Sequence, residues 1–246
     1  MTELAVRQRL AWRVATVAAV RDETAAARTL VLDVPDWPGH LAGQHVDVRL
    51  TAEDGYSAQR SYSLASTTVE LTVQSVVDGE VSPYLVGVAG PGDQFELRGP
   101  VGGHFTWSVH DGGPLLMVAG GSGLVPLMSM LRHRAAQGSH VATTMLVSAR
   151  GVDDILYRDE LMDLRGAGDG LDLRETLTRG APDGWAGFAR RVDREMLAEI
   201  GPDPSARPRV FICGPTAFVE NAADLLVALG HEPAAIHAER FGPTGA

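Results

Sequence analysis

The sequence predicts an antiparallel β-barrel followed by a doubly wound α/β domain, and three observations carry that reading. Up to about Trp107, short segments alternate apolar and polar residues with period two. Beyond Pro114, continuous apolar runs alternate with amphipathic helical stretches. Between them "SVHDGGP", Ser108 to Pro114, has the composition of a linker. With 246 residues and 45% hydrophobic content, the chain can build two such cores.

In chain order, "VATVAAV" and "RTLVLDV" read as the first two strands. In "HVDVRL", Val46, Val48 and Leu50 share one face. "QRSYSLAS", Gln59 to Ser66, reads as a strand with an unusual load of polar side chains. In "VELTVQSV", Val69, Leu71 and Val73 oppose Glu70, Thr72 and Gln74, the mark of a half-buried strand. A helix is expected near "SPYLVGV" and a last strand at "DQFELRG". Turn-rich "PDWPGH" and "AEDGY" separate these pieces, which suits a small closed barrel.

In the second half the strands are "LLMVA", "VATTMLVS", "LDLRETL" and "RVFIC". The helices are "LVPLMSMLRHRAA", "DDILYRDELMDL", "DREMLAEI" and "PTAFVENAADLLVAL". Phe218, Ala222, Leu225, Leu226 and Leu229 form one stripe of the last helix, which reads as ordinary core packing. No residue from Gly112 to Leu131 is charged, but "GGSG" and Pro126 split that run into a strand and a helix start, so no transmembrane span is expected.

Composition excludes several classes of function. The 21 basic and 31 acidic residues leave a net charge of −10, which argues against a nucleic-acid binder or an anionic-membrane binder. The single cysteine, Cys213, supports neither a disulfide framework nor a protein-ligated iron–sulfur cluster, and no metal site is expected. Arg7, Arg9 and Arg13 interrupt any secretory leader pattern, so the expected location is cytoplasmic.

Open parallel sheets bind ligands beyond the carboxyl ends of their strands, so the residues there are the candidates for chemistry. After "LLMVA" come Gly120, Gly121, Ser122 and Gly123, a glycine-rich turn that lets backbone amides approach a pyrophosphate at a helix start. Its spacing is G-x-G-x-x-P, without the last glycine of the usual dinucleotide fingerprint. The next strand ends at Ser148 and is followed by Arg150, where a ribose-binding acid would otherwise stand. After the third strand come Thr178 and Arg179. Hydroxyl and guanidinium groups suit a 2′-phosphate and favour NADPH over NADH as the nucleotide. The fourth strand ends in Cys213, Gly214 and Pro215 just before a helix.

The ordered set of Arg60, Tyr62 and Ser63 (R-x-Y-S), "GEVSPYL", "GPVGGHF", "GGSG", "CGP" and "ERF" resembles the ferredoxin–NADP reductase superfamily of flavoproteins over nearly the whole chain. The resemblance implies a Greek-key FAD-binding barrel over residues 1–107 and an NAD(P)H-binding α/β domain over residues 108–246. It also implies roles. Arg60 pairs with the FAD pyrophosphate, Tyr62 stacks on the isoalloxazine and Ser63 lies near flavin N5. Alternation along the strand puts Ser63 on the opposite face from Arg60 and Tyr62, so a bulge or strand end is expected there. Val81 and Ser82 begin a helix that receives the FAD phosphates, with Pro83 in its first turn. Cys213 borders the nicotinamide, Glu239 is a polar neighbour of the reacting atoms, and Phe241 covers the second flavin face.

The implied function is an NAD(P)H oxidoreductase that moves hydride from NADPH, with NADH as a possible donor, to FAD. It passes electrons to a separate ferredoxin or oxygenase component, because this chain lacks the four cysteines of a fused ferredoxin domain. Two alternatives compete: a flavin reductase or diaphorase acting on free flavin or small acceptors, and a non-catalytic nucleotide-binding regulatory protein.

Overall fold

The computed structural model describes residues 10–242, so Arg7 and Arg9 lie outside the described residues. The first unit is a six-stranded antiparallel sheet of β1 (Trp12–Thr24), β2 (Ala27–Asp33), β3 (His45–Thr51), β4 (Ser57–Ser63), β5 (Glu70–Gln74) and β6 (Gln94–Val101), with helix α1 (Ser82–Gly87) after β5. The strand order is β4-β3-β6-β1-β2-β5. The sheet rolls up around Leu30, Val46, Val48, Leu71, Val73, Leu85 and Leu97, all buried, as the period-two pattern requires. Closure is slight: among the described residues the edge strands meet at the Leu64–Leu71 bridge, with Ala65 N donating to Glu70 O at 2.9 Å beside it.

The second unit is a parallel sheet of β7 (Leu115–Gly120), β8 (Thr143–Ala149), β9 (Leu171–Leu177), β10 (Arg209–Pro215) and β11 (Ile236–Phe241), in the order β11-β10-β7-β8-β9. Its helices are α2 (Leu124–Ala136), α3 (Arg158–Gly166), α4 (Arg194–Ile200) and α5 (Thr216–Ala228). Alternate residues of β7 and β10 feed opposite layers. Leu115, Met117, Phe211 and Cys213 pack with Leu127, Met130 and Leu161 of α2 and α3, whereas Leu116, Val118, Val210 and Ile212 pack with Met196, Leu197, Ala222 and Leu226 of α4 and α5. Both faces of these strands are covered, which is why they read as unbroken apolar runs.

Three details depart from the sequence reading. β11 was not expected as a strand. The helix expected from Asp153 begins only at Arg158, because Tyr157 sits in the left-handed region at φ 53° and breaks the run. On α5, Val219, Ala222 and Leu226 are the buried residues, while Phe218 turns toward the ligand edge of the sheet.

Phe105 and Trp107 join the core of the second unit, where Phe105 meets Phe211 edge-on with ring centroids 5.4 Å apart. The two units therefore share apolar packing at their junction. No helix among the described residues is long and apolar enough to cross a membrane.

Candidate functional site

A cleft of about 670 Å³ lies beyond the carboxyl ends of the parallel strands. Its floor is the turn after β7, where close packing accounts for most of the glycines. A Cβ on Gly123 would lie 2.0 Å from the Cys213 carbonyl oxygen, and one on Gly120 or Gly214 would lie 2.8 or 2.7 Å from the Phe218 ring. These three glycines let the β7 and β10 turns touch backbone to backbone. Gly121 differs. Its φ is +54°, and the nearest atom to an added Cβ is Gln74 Oε1 at 4.0 Å, so its backbone is the open one facing the cleft. A 3-10 turn over Gly121–Gly123 runs straight into helix α2, where the Leu124 amide already donates to the carbonyls of Gly121 and Ser122, so the uncapped start that faces the cleft is the glycine turn itself.

The walls hold the polar groups. Ser148 and Arg150 follow β8, and Thr178 and Arg179 follow β9. The two loops are tied together: Arg179 N donates to Arg150 O at 2.9 Å, and the Thr178 amide and hydroxyl donate to Ala149 O at 3.0 and 3.1 Å. Backbone pairing thus sets Arg150 and Arg179 side by side, and the Thr178 proton is used in that tie. Ser122 and Pro215 also line the cleft, with Phe241 at the end of β11, whereas the expected Gly123, Cys213 and Gly214 do not, being packed behind its floor.

The cleft contains residues the sequence reading missed. Arg191 lines it, while its neighbour Arg190 pairs with Asp193 at 2.6 Å; two adjacent arginines ahead of a helix cap give no sign of which one faces a ligand. Asp154 lines it too, with Oδ2 accepting from the Gly151 amide at 3.0 Å. Gln74 reaches in from β5 and makes the barrel part of the wall.

Cys213 and Glu239 lie beside this cleft on adjacent strands. Burial pushes the Cys213 thiol upward, and the nearby Glu239 carboxyl adds to the effect. Burial also raises Glu239, to about 7.

A second group lies on the barrel. Arg60 is exposed, with Nη2 donating to Glu80 Oε2 at 2.7 Å, and the Tyr56 hydroxyl donates to the same carboxylate. Tyr62 is half-buried against the barrel core, and burial pushes its phenol up to about 12. β4 ends at Ser63, as the alternation argument requires if that hydroxyl is to escape the opposite face. Ser82 does not cap α1; its Oγ accepts from Val76 N at 3.1 Å and closes the preceding loop, while Val81 is buried at the helix start. The Arg60–Glu80 pair links this strand to that loop. The backbone bridge from Leu64 to Leu71 then leads along β5 to Gln74 and the cleft.

Comparison with known proteins matches both halves. The family described as "Oxidoreductase FAD-binding domain" matches residues 13–107, and "Oxidoreductase NAD-binding domain" matches residues 117–224. The chain is 34% identical to ferredoxin--NADP reductase B of Sorangium cellulosum, over 92% of this chain and 96% of that one. It is 32% identical to the glycine betaine monooxygenase reductase subunit of Pseudomonas aeruginosa, over 82% of this chain and 56% of that one. Thus it spans about half the length of several curated relatives it matches. Among solved structures, the flavohem-like FAD/NAD binding domain of nitric oxide dioxygenase from Vibrio cholerae aligns with a TM-score of 0.84 at 25% identity, covering 96% of this chain and 100% of that one.

Proposed function

Since the chain belongs to the ferredoxin–NADP reductase-like FAD/NAD(P)H oxidoreductases, we propose that it oxidises NADPH in preference to NADH and passes the electrons, through FAD, to a separate ferredoxin or oxygenase component. The observation that carries this reading is the cleft itself, in which Arg150, Arg179 and Arg191 line one opening that also holds Gly121 and Phe241. Three guanidinium groups against one carboxylate, Asp154, favour an additional phosphate over a bare ribose.

The residues present fit both groups. Gly121 and the turn that leads into α2 offer an open backbone to a pyrophosphate. Arg60, by exchanging its partner Glu80, would turn a charged fork to the FAD phosphates, with Tyr62 giving a flat ring and Ser63 a hydroxyl at the strand end. FAD supplies the ability to accept a hydride and release electrons singly. The chain's part is to orient and to exclude water: Phe241 stands at the cleft, while Cys213 and Glu239, paired on adjacent strands next to it, hold a neutral thiol and a readily protonated carboxyl. The names of the oxygenase-reductase relatives support a protein acceptor.

The test is anaerobic titration of FAD-loaded protein with NADPH and, separately, NADH. Bleaching of the flavin bands at lower NADPH than NADH is expected. Protein that takes up no FAD, or whose flavin neither nucleotide bleaches, refutes the proposal.

A further inference from the structure

The alternating polar side chains of β5, which a half-buried strand would give to water, all meet the second unit. Gln74 lies beside Gly121 in the cleft. Thr72, only 5% exposed, accepts a hydrogen bond from the hydroxyl of Tyr157. Glu70 Oε2 lies 3.5 Å from Arg132 of α2.

The Tyr157 contact belongs to a buried relay with a single direction. Glu23 accepts the one proton of Thr29 at 2.6 Å, so Thr29 accepts from Thr72 at 2.6 Å, and Thr72 in turn accepts from Tyr157. Tyr157 is itself held at φ 53°, a conformation that a bulky residue keeps only where its surroundings over-determine it.

Arg132 completes the junction. Its Nε and Nη2 donate to both oxygens of Glu160 at 2.8 and 2.6 Å, its Nη1 donates to the carbonyl of Ala65 at 2.9 Å, and its guanidinium sits 4.9 Å from the centre of the Tyr157 ring. Ala65 is two residues beyond Ser63, and α2 springs from the glycine turn. One side chain therefore ties the nucleotide-binding helix to the end of the R-x-Y-S strand.

The geometry points to Arg132 and Tyr157 as positioning residues that, with the polar face of β5, clamp the two half-sites at one separation and angle. This rests on the reading of the protein as a pyridine-nucleotide flavoprotein reductase. Hydride transfer needs the reacting atoms within about 3–3.5 Å, and a misplacement of about 1 Å costs on the order of 10²-fold in rate. Apolar packing between units resists separation but tolerates sliding, whereas directional, charge-assisted bonds fix orientation.

The variants are Tyr157→Phe, Thr72→Val, Arg132→Gln and Arg132→Lys. In the protein without cofactor, hydrogen exchange read by mass spectrometry should speed up at Leu64–Ala65 and around Gly121–Leu124 in Tyr157→Phe and Arg132→Gln, with the amides of β7 and β8 unchanged. In FAD-loaded protein, FAD content and the NADPH dissociation constant should stay within about twofold of wild type, while single-turnover flavin reduction slows by about 10–100-fold. Arg132→Lys should recover only part of that loss, since it keeps the charge without the fork. If these variants lower the melting temperature yet leave both exchange at the two segments and the single-turnover rate unaltered, the network is only structural and the proposal falls. If wild-type flavin is not bleached by either nucleotide, the functional reading fails by itself, and unchanged exchange then sinks the clamp separately.

Discussion

Cys213 and Glu239 sit opposite each other in the parallel pair of β10 and β11. Burial raises Glu239 to about 7, so near neutrality it exchanges its proton readily. Because the folded pKa lies above the ordinary 4.5, the native state holds more protons than the unfolded chain between those values. The corresponding stability is full below about pH 4.5 and is lost as the pH rises through 7. Denaturant melts at pH 5 and pH 8 should show wild type losing more stability than Glu239→Gln across that interval. Flavin reduction should also show an inflection near pH 7 that the variant lacks, and parallel profiles would refute the assignment.

Cys213 is 3% exposed and its thiol is held neutral by burial. Maleimide labelling of the folded protein at pH 8 should therefore proceed only as fast as the protein opens. Labelling that is rapid in buffer and insensitive to denaturant would contradict this.

Arg179→Ala and Arg191→Ala should each weaken NADPH by about 10–100-fold, the equivalent of one lost charged hydrogen bond of about 1.5–3 kcal/mol, and NADH far less. Dissociation constants from difference titrations decide it. Equal losses for the two nucleotides would assign these arginines elsewhere.

Arg60→Ala should release FAD, read as the flavin-to-protein ratio after gel filtration, and Arg60→Lys should retain an intermediate amount. Full occupancy in the alanine variant would remove Arg60 from the phosphate contact.

The glycines separate cleanly. Gly123→Ala forces a methyl to within 2.0 Å of backbone and should abolish or severely destabilise the fold. Gly121→Ala meets only open space and a left-handed φ, so it should lower stability by about 1 kcal/mol while weakening nucleotide binding. Thermal melts and NADPH titration of both variants check the contrast.

Much of this was legible in the chain, for physical reasons. The short apolar run "LLMVA", ended by a glycine turn, reads as a strand buried on both faces, and α2, buried along Leu124–Leu131, was marked by its length, its start after that turn and its basic last turn. β11 was not, because "IHAERF" is an edge strand whose side chains stay half-exposed and whose order comes from pairing with β10. Period-two alternation identified β5 but could not say that its polar face meets a second domain instead of water. Arg191 was hidden for a similar reason, since charge pairing of Arg190 with Asp193 is a tertiary outcome.

The strand order has a consequence for how the chain is made. β6 lies between β3 and β1, and it is the last of the six barrel strands to be synthesised. Until Gln94–Val101 leaves the ribosome, the pieces β5-β2-β1 and β3-β4 are joined only through the Leu64–Leu71 bridge, and each has an unpaired inner edge. A fragment released at Asp93 would carry both sticky edges, whereas eight further residues seal them against one another, so the barrel becomes safe from edge-to-edge association in a single step of elongation.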